Sequence, residues 1–196
     1  MNPEKTSKAL QEKGYEVTLV KTASEALEKI KQIIPQGASI TNGSSKTLEQ
    51  IGYFDYLKSG KHKWIDLKGK AAEENDKEKR TKLRRDASLA DFYLGSVNAL
   101  TSEGEFVFGS NTGSQMPSIV FNSPNLIFIV STKKIVANLD EAMKRLVDFV
   151  VPLEDKQSRE KYGESTALNK IVIFNGEAVG NDRKIYFILV DEDLGF

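Results

Sequence analysis

ADFYLGSVNALTSEGEFVFGSNTGSQMPSIVFNSPNLIFIVSTKKIV, residues 90–136, decides the fold of this chain. Two apolar runs, Phe92–Leu94 and Leu126–Val130, have the length and composition of buried strands. Between them lies a segment rich in Gly, Ser, Thr and Asn. It offers many backbone N–H groups and hydroxyls but almost no strong acid, base or metal ligand. Such chemistry suits holding an anionic small molecule better than cleaving one.

Outward from this stretch, strands and helices alternate. Residues 3–13 read as a helix, with Pro3 early and Gly14 as its stop. Tyr15–Val20 reads as a strand. Thr22 or Ser24 then caps a helix whose Ala26, Leu27, Ile30, Ile33 and Ile34 form an apolar stripe ending at Pro35. Ala38–Thr41 is a short strand, Asn42–Ser45 a tight turn and Lys46–Ile51 a helix. On the C-terminal side, Asn138 caps a helix carrying Leu139, Ala142, Met143, Leu146, Val147 and Val150. Pro152 is expected to break it, with Leu153–Tyr162 following as a second, polar helix. Lys170–Phe174 and Lys184–Val190 close the chain as strands, joined by NGEAVGNDR with its Asn-Gly turn chemistry. The alternation predicts an α/β fold with a mostly parallel sheet in three layers, as one domain over residues 1–196.

Lys68–Ala90 differs in kind. Its acids and bases recur at helical spacing with few apolar residues, chiefly Leu83 and Leu89, so a solvated helix is expected. Interleaved acids and the lack of an aromatic platform argue against an RNA surface. Across the chain 28 basic residues balance 28 acidic ones, leaving no global field for nucleic acid or anionic lipid. Cysteine is absent and histidine occurs once, as His62. Thiolate nucleophiles, zinc-thiolate sites and a histidine metal site are therefore excluded, and no metal or cofactor is expected. No apolar run approaches the roughly 20 residues that span a bilayer. The charged N-terminus lacks a secretory core, which points to the cytoplasm.

Three segments could carry chemistry. In Asn42-Gly43-Ser44-Ser45-Lys46, a glycine turn and two hydroxyls open a helix, so N–H groups and a positive dipole end meet at one point. Capping by Ser44 or Ser45 is the simpler role, and the GxxxxGK[ST] spacing of a phosphate loop is missing. Thr101-Ser102-Glu103-Gly104 sets a carboxylate on a glycine turn, where Glu103 is either an exposed hairpin residue or, if desolvated, a nucleophile. Gly109–Ser114 supplies Asn111, Gly113 and Ser114, with Ser114 able to cap a helix running to Val120. Two such loops, each after a strand, suggest a shared ligand crevice at strand carboxyl ends. The acids Asp191, Glu192 and Asp193 read as a solvated terminal turn. The aromatic residues Tyr53, Phe54 and Tyr56 read as packing beneath a loop.

The series NGSSKTLEQIG, ADFYLGSVNALTSEGEFVF, NTGSQMPSIVF, SPNLIFIVSTKKIVANLDEAMKRL, VPLED and IYFILVDEDLGF resembles the LUD-domain family, of the lactate-utilisation protein C type. The resemblance runs from about residue 5 to the C-terminus. It implies a fold like that of ribose-5-phosphate isomerase and the CoA transferases, with a Rossmann-like parallel sheet. It also implies a cytoplasmic role linked to L-lactate oxidation, beside iron–sulfur partner subunits. Two departures stand out. The cluster-binding cysteines of longer members are absent, and the acid of the isomerases' Gly-Ala-Asp segment is replaced in Gly95-Ser96-Val97. Ser102-Glu103-Gly104 is similar to the Ser-Glu-Asn-Gly context of the CoA transferases' glutamate.

Two functions follow as expectations. The first is an accessory protein that binds a small anionic metabolite through Gly43, Ser44, Ser45, Lys46, Gly104, Asn111, Gly113 and Ser114. The second is an acyl-transfer enzyme in which Glu103 attacks an acyl-CoA. A third arrangement, an assembly subunit, would dock its partner through the Tyr53–Trp64 region. A homo-oligomer is compatible with all three.

Overall fold

The computed structural model describes residues 1–178, 180 and 182–196; Val179 and Asn181, within the predicted Asn175–Arg183 connection, lie outside the described residues. Its spine is a parallel sheet of six strands in the order β1 (Glu16–Val20), β10 (Lys184–Val190), β7 (Asn125–Ser131), β4 (Phe92–Gly95), β2 (Ser39–Asn42) and β3 (Ile65–Asp66). Strands β7 and β10 run side by side from Lys184↔Asn125 to Val190↔Ser131. Both are apolar along nearly their whole length, as strands covered on two faces must be.

One face packs on α2 (Ala23–Ile33), α3 (Lys46–Gln50) and α4 (Tyr53–Lys58), burying Ile40, Leu94, Ile127, Ile129 and Ile188 among them. The opposite face presents Tyr93, Phe128 and Phe187 to α1 (Pro3–Glu12) and to a second sheet. That sheet has the order β8 (Ile135–Val136), β5 (Ala99–Thr101), β6 (Phe106–Ser110) and β9 (Lys170–Phe174). The parallel sheet with its flanking helices is a Rossmann-like, three-layer α/β arrangement, as the alternation predicts. The second sheet is an addition that the alternation does not reveal.

Local sequence explains most boundaries. Thr22 and Glu25 form a reciprocal capping box at the start of α2. Asn138 accepts from the Glu141 amide at 3.0 Å and starts α7 (Leu139–Arg145). Gly104, at φ +85°, closes the short turn between β5 and β6, where Thr101 N donates to Glu105 O at 2.8 Å.

Three expectations need correction. Pro152 does not break the helix: α7 passes through a π-helical turn, Leu146–Val150, into α8 (Val151–Tyr162), with Pro152 in the first turn of α8. The wider turn just before it suits a residue that has no amide to give and whose ring crowds the carbonyl four back. The charged segment is two helices, α5 (Leu67–Glu73) and α6 (Lys77–Asp86), because Asp76 caps a new start by accepting from Lys79 N at 2.8 Å. Ser114 caps no helix; a π-helical turn, Ser118–Asn122, begins instead after Pro117. Among the described residues no helix is long and apolar enough to cross a membrane.

Candidate functional site

Parallel strands leave their carboxyl ends and the loops after them on one edge of the sheet. Here the loops after β2 and β4 face each other across a crevice of about 490 Å³, counting the solvent at its mouth. Gly43 to Thr47 form one wall and Gly95 to Asn98 another; Gly109, Gln115, Lys134, Glu154 and Phe196 complete it. Gly43 is fixed by its amide, which donates to Leu94 O at 3.0 Å. A Cβ there would lie 2.6 Å from the Tyr93 hydroxyl oxygen, so only glycine lets the loop close over that ring. Tyr93 is itself 3% exposed, and its hydroxyl finds no hydrogen-bond partner among the described residues.

Lys134 lies at the floor. It follows β7 in a short 3-10 turn, Thr132–Lys134, and is 3% exposed. Its Nζ donates to Thr47 Oγ1 at 3.1 Å, Ser96 Oγ at 3.1 Å and Val97 O at 3.3 Å. No carboxylate pairs with it among the described residues. Burial pulls the Lys134 amine down to about 7, with the nearby Arg145 guanidinium adding to the effect and Glu154 opposing it. The carboxyl of Glu154 is pushed up by its own burial, against the pull of Lys134. The two groups therefore share one crevice without forming an ion pair.

All three ammonium N–H bonds of Lys134 are taken by protein oxygens. Thr47 and Ser96 accept with their hydroxyl oxygens, and Ser96 in turn donates to Val97 O at 3.4 Å. A cation behind a hydroxyl makes it a stronger donor, so Lys134 polarises both hydroxyls.

The residues singled out in the sequence divide. Gly43, Ser44, Ser45 and Lys46 line the crevice, although Lys46 reaches Glu49 at 2.5 Å. Helix α3, started by Ser45, has five residues, so its dipole contributes little. Asn111, Gly113 and Ser114 stand outside the crevice: Asn111 accepts from Asn169 Nδ2 at 2.7 Å, Gly113 packs against Lys170, and Ser114 is exposed. Gly104 abuts Lys13 and Leu10.

Glu103 is also outside. Its exposed carboxylate lies 2.7 Å from Lys5 Nζ, and that contact holds it below the usual carboxylate range. An anion at a hairpin tip, already paired and largely exposed, lacks the desolvation that activates a nucleophile. In the Tyr53–Trp64 region, Phe54, Tyr56 and His62 are half-buried. Tyr53 is fully buried, and Trp64 donates its indole N–H to Ile34 O at 3.3 Å. Among the described residues no group of acids or histidine is arranged to hold a metal ion.

Lys134, Glu154 and Tyr93 carry the new information. Glu154 had a signal, since it continues the buried series Ala142, Leu146, Val150 at four-residue steps. Lys134 had almost none: Lys133, beside it, is exposed.

Fold and site together define an α/β protein with a polar crevice at the carboxyl ends of parallel strands. The chain belongs to the LUD domain family, which it matches over residues 3–171, a family associated with lactate utilisation. The crystal structure of a DUF162 family protein from Deinococcus radiodurans is similar over 96% of this chain and 95% of that one, at a TM-score of 0.57 and 14% identity. At that identity the likeness concerns the fold alone. No curated protein matches.

Proposed function

We propose that the crevice binds a small anionic metabolite, and that the chain is an accessory binding protein linked to L-lactate oxidation beside iron–sulfur subunits. The observation that carries the binding is Lys134, a buried amine without a carboxylate partner. Burying an unpaired ammonium is expensive, and the chain lowers the cost by letting the proton go near neutral pH. An anion in the crevice, reached through the Thr47 hydroxyl, removes the same cost by supplying the missing charge. Tyr93 adds a hydroxyl with no other partner, and Ser44 and Ser45 add donors at the mouth. Family membership supports the pathway link.

Thermal unfolding in phosphate-free buffer, across a panel of carboxylates, sugar phosphates and nucleotides, tests this reading. A ligand at a hundred times its dissociation constant stabilises by about 2.7 kcal/mol, a rise of roughly 5–10 °C in a chain of this size. Lys134→Met is expected to lose the response and Glu103→Gln to keep it. A panel in which nothing raises the midpoint overturns the proposal.

A further inference from the structure

We infer that the Lys134 amine captures a carbonyl group of the bound anion as an imine, so that the ligand class is a small anionic aldehyde or ketone. The inference rests on the anion-binding reading and adds a functional group to it. A site built only to hold an anion gains by keeping its cation charged and has no use for an acid. This crevice does the reverse on both counts. Its lysine is buried among two hydroxyls, a carbonyl and the backbone of Gly195, where a Cβ would come within 2.9 Å of Nζ. Glu154, which lines the crevice with Lys134 and Lys46, is a carboxyl that burial pushes above its usual range. An ionised Glu154 would repel a bound anion, whereas a protonated one is the acid that carbonyl condensation needs.

The hydrogen bonds allow the step. Val97 O can only accept, so one N–H of Lys134 remains pinned to it. Thr47 and Ser96 are hydroxyls that can turn, and once Lys134 has lost a proton either can release the nitrogen lone pair. Burial that draws the amine toward neutrality is how a lysine becomes a nucleophile in water near pH 7. The anionic group of the ligand then falls to Ser44, Ser45 and Lys46 at the mouth.

The Nζ lone pair forms the N–C bond, and the carbonyl π pair moves to oxygen, which takes the Glu154 proton. The surplus proton on nitrogen returns to the Glu154 carboxylate, giving a neutral carbinolamine. Glu154 then protonates the hydroxyl, the C–O bond breaks, and water leaves as nitrogen forms the C=N bond. Amine, carbonyl compound and protonated Glu154 become iminium, ionised Glu154 and water. No oxidant or reductant enters.

The whole protein, incubated at pH 7 with glyoxylate or pyruvate and cyanoborohydride, tests this by intact mass and peptide mapping. One adduct is expected, equal to the oxo acid less one oxygen atom, and mapped to Lys134. Near pH 7 this amine is free on the order of a thousandfold more often than an exposed lysine. Labelling at least about tenfold faster than at surface lysines is therefore expected even after its lower basicity is discounted. Mapping assigns the position in the native chain, so the result does not depend on a Lys134 variant folding. Thermal unfolding with the same acids, and with glycolate and lactate, runs in parallel. Stabilisation by oxo acids without an adduct at Lys134, or adducts confined to exposed lysines, overturns the inference and leaves anion binding standing. Absence of both stabilisation and adduct removes both.

Discussion

Lys134 makes the stability of this protein depend on pH in a definite direction. Unfolded, a lysine titrates near 10.4; folded, Lys134 does so at about 7. Between these values the unfolded chain binds more protons, so stability rises with pH from about 7 upward, by at most about 1.4 kcal/mol per unit. Below 7 both states are protonated and the full penalty of the buried charge is present. Glu154 acts oppositely, since its folded value is raised: its contribution is present in acid and is lost as pH climbs through that value. Urea midpoints measured from pH 7 to 9 should climb in the native chain and stay nearly flat in Lys134→Met. Gly195 is the other exacting residue here. At φ +67° it packs directly on Thr47 Oγ1 and Lys134 Nζ. Gly195→Ala should cost about 1–2 kcal/mol from the left-handed backbone alone, with the contact on Thr47 adding to it. Chemical denaturation gives the value.

At the scale of elements, boundaries are set by a few side chains. Thr22→Ala removes half of the capping box of α2 and should lower stability by about 1 kcal/mol, read from the denaturation midpoint. Such features are legible in the sequence because they depend on neighbours three residues away. Thr22, Asn138 and the turn glycines announce themselves, and the strands β9 and β10 follow from composition. The crevice is only half legible for the same reason. Gly43 to Lys46 carry a local signature, whereas Lys134 is buried by contacts 87 residues back, at Thr47, and 38 back, at Ser96. Nothing in Ser-Thr-Lys-Lys says which lysine turns inward. The helix running into α8 shows a different limit. Proline reads as a break, yet a π-helical turn carries the chain through and brings Glu154 to the crevice.

For the molecule as a whole, the two sheets are held together by aromatic rings. Phe106 stacks on Phe174 with centroids 4.7 Å apart and meets Phe187 edge-on at 5.1 Å, joining the small sheet to the parallel one. Phe106→Ala should cost about 3–5 kcal/mol, a large share of the 5–15 kcal/mol typical of whole domains. Calorimetry would read the loss as a fall in melting temperature. The second sheet went unread because its strands β5, β6 and β9 resemble any others in composition; which sheet a strand joins is decided by partners far along the chain.

Strand β10 lies between β1 and β7, pairing Glu16 with Tyr186 and Lys184 with Asn125. The spine therefore stays split until residues near position 186 return to meet residues near position 16. Until then β7 and β1 expose bare, hydrophobic edges to any neighbouring chain. Pairing at such sequence separation is slow, because loop-closure entropy is lost before any contact is gained. Time spent with the spine open is time in which those edges can pair with another chain.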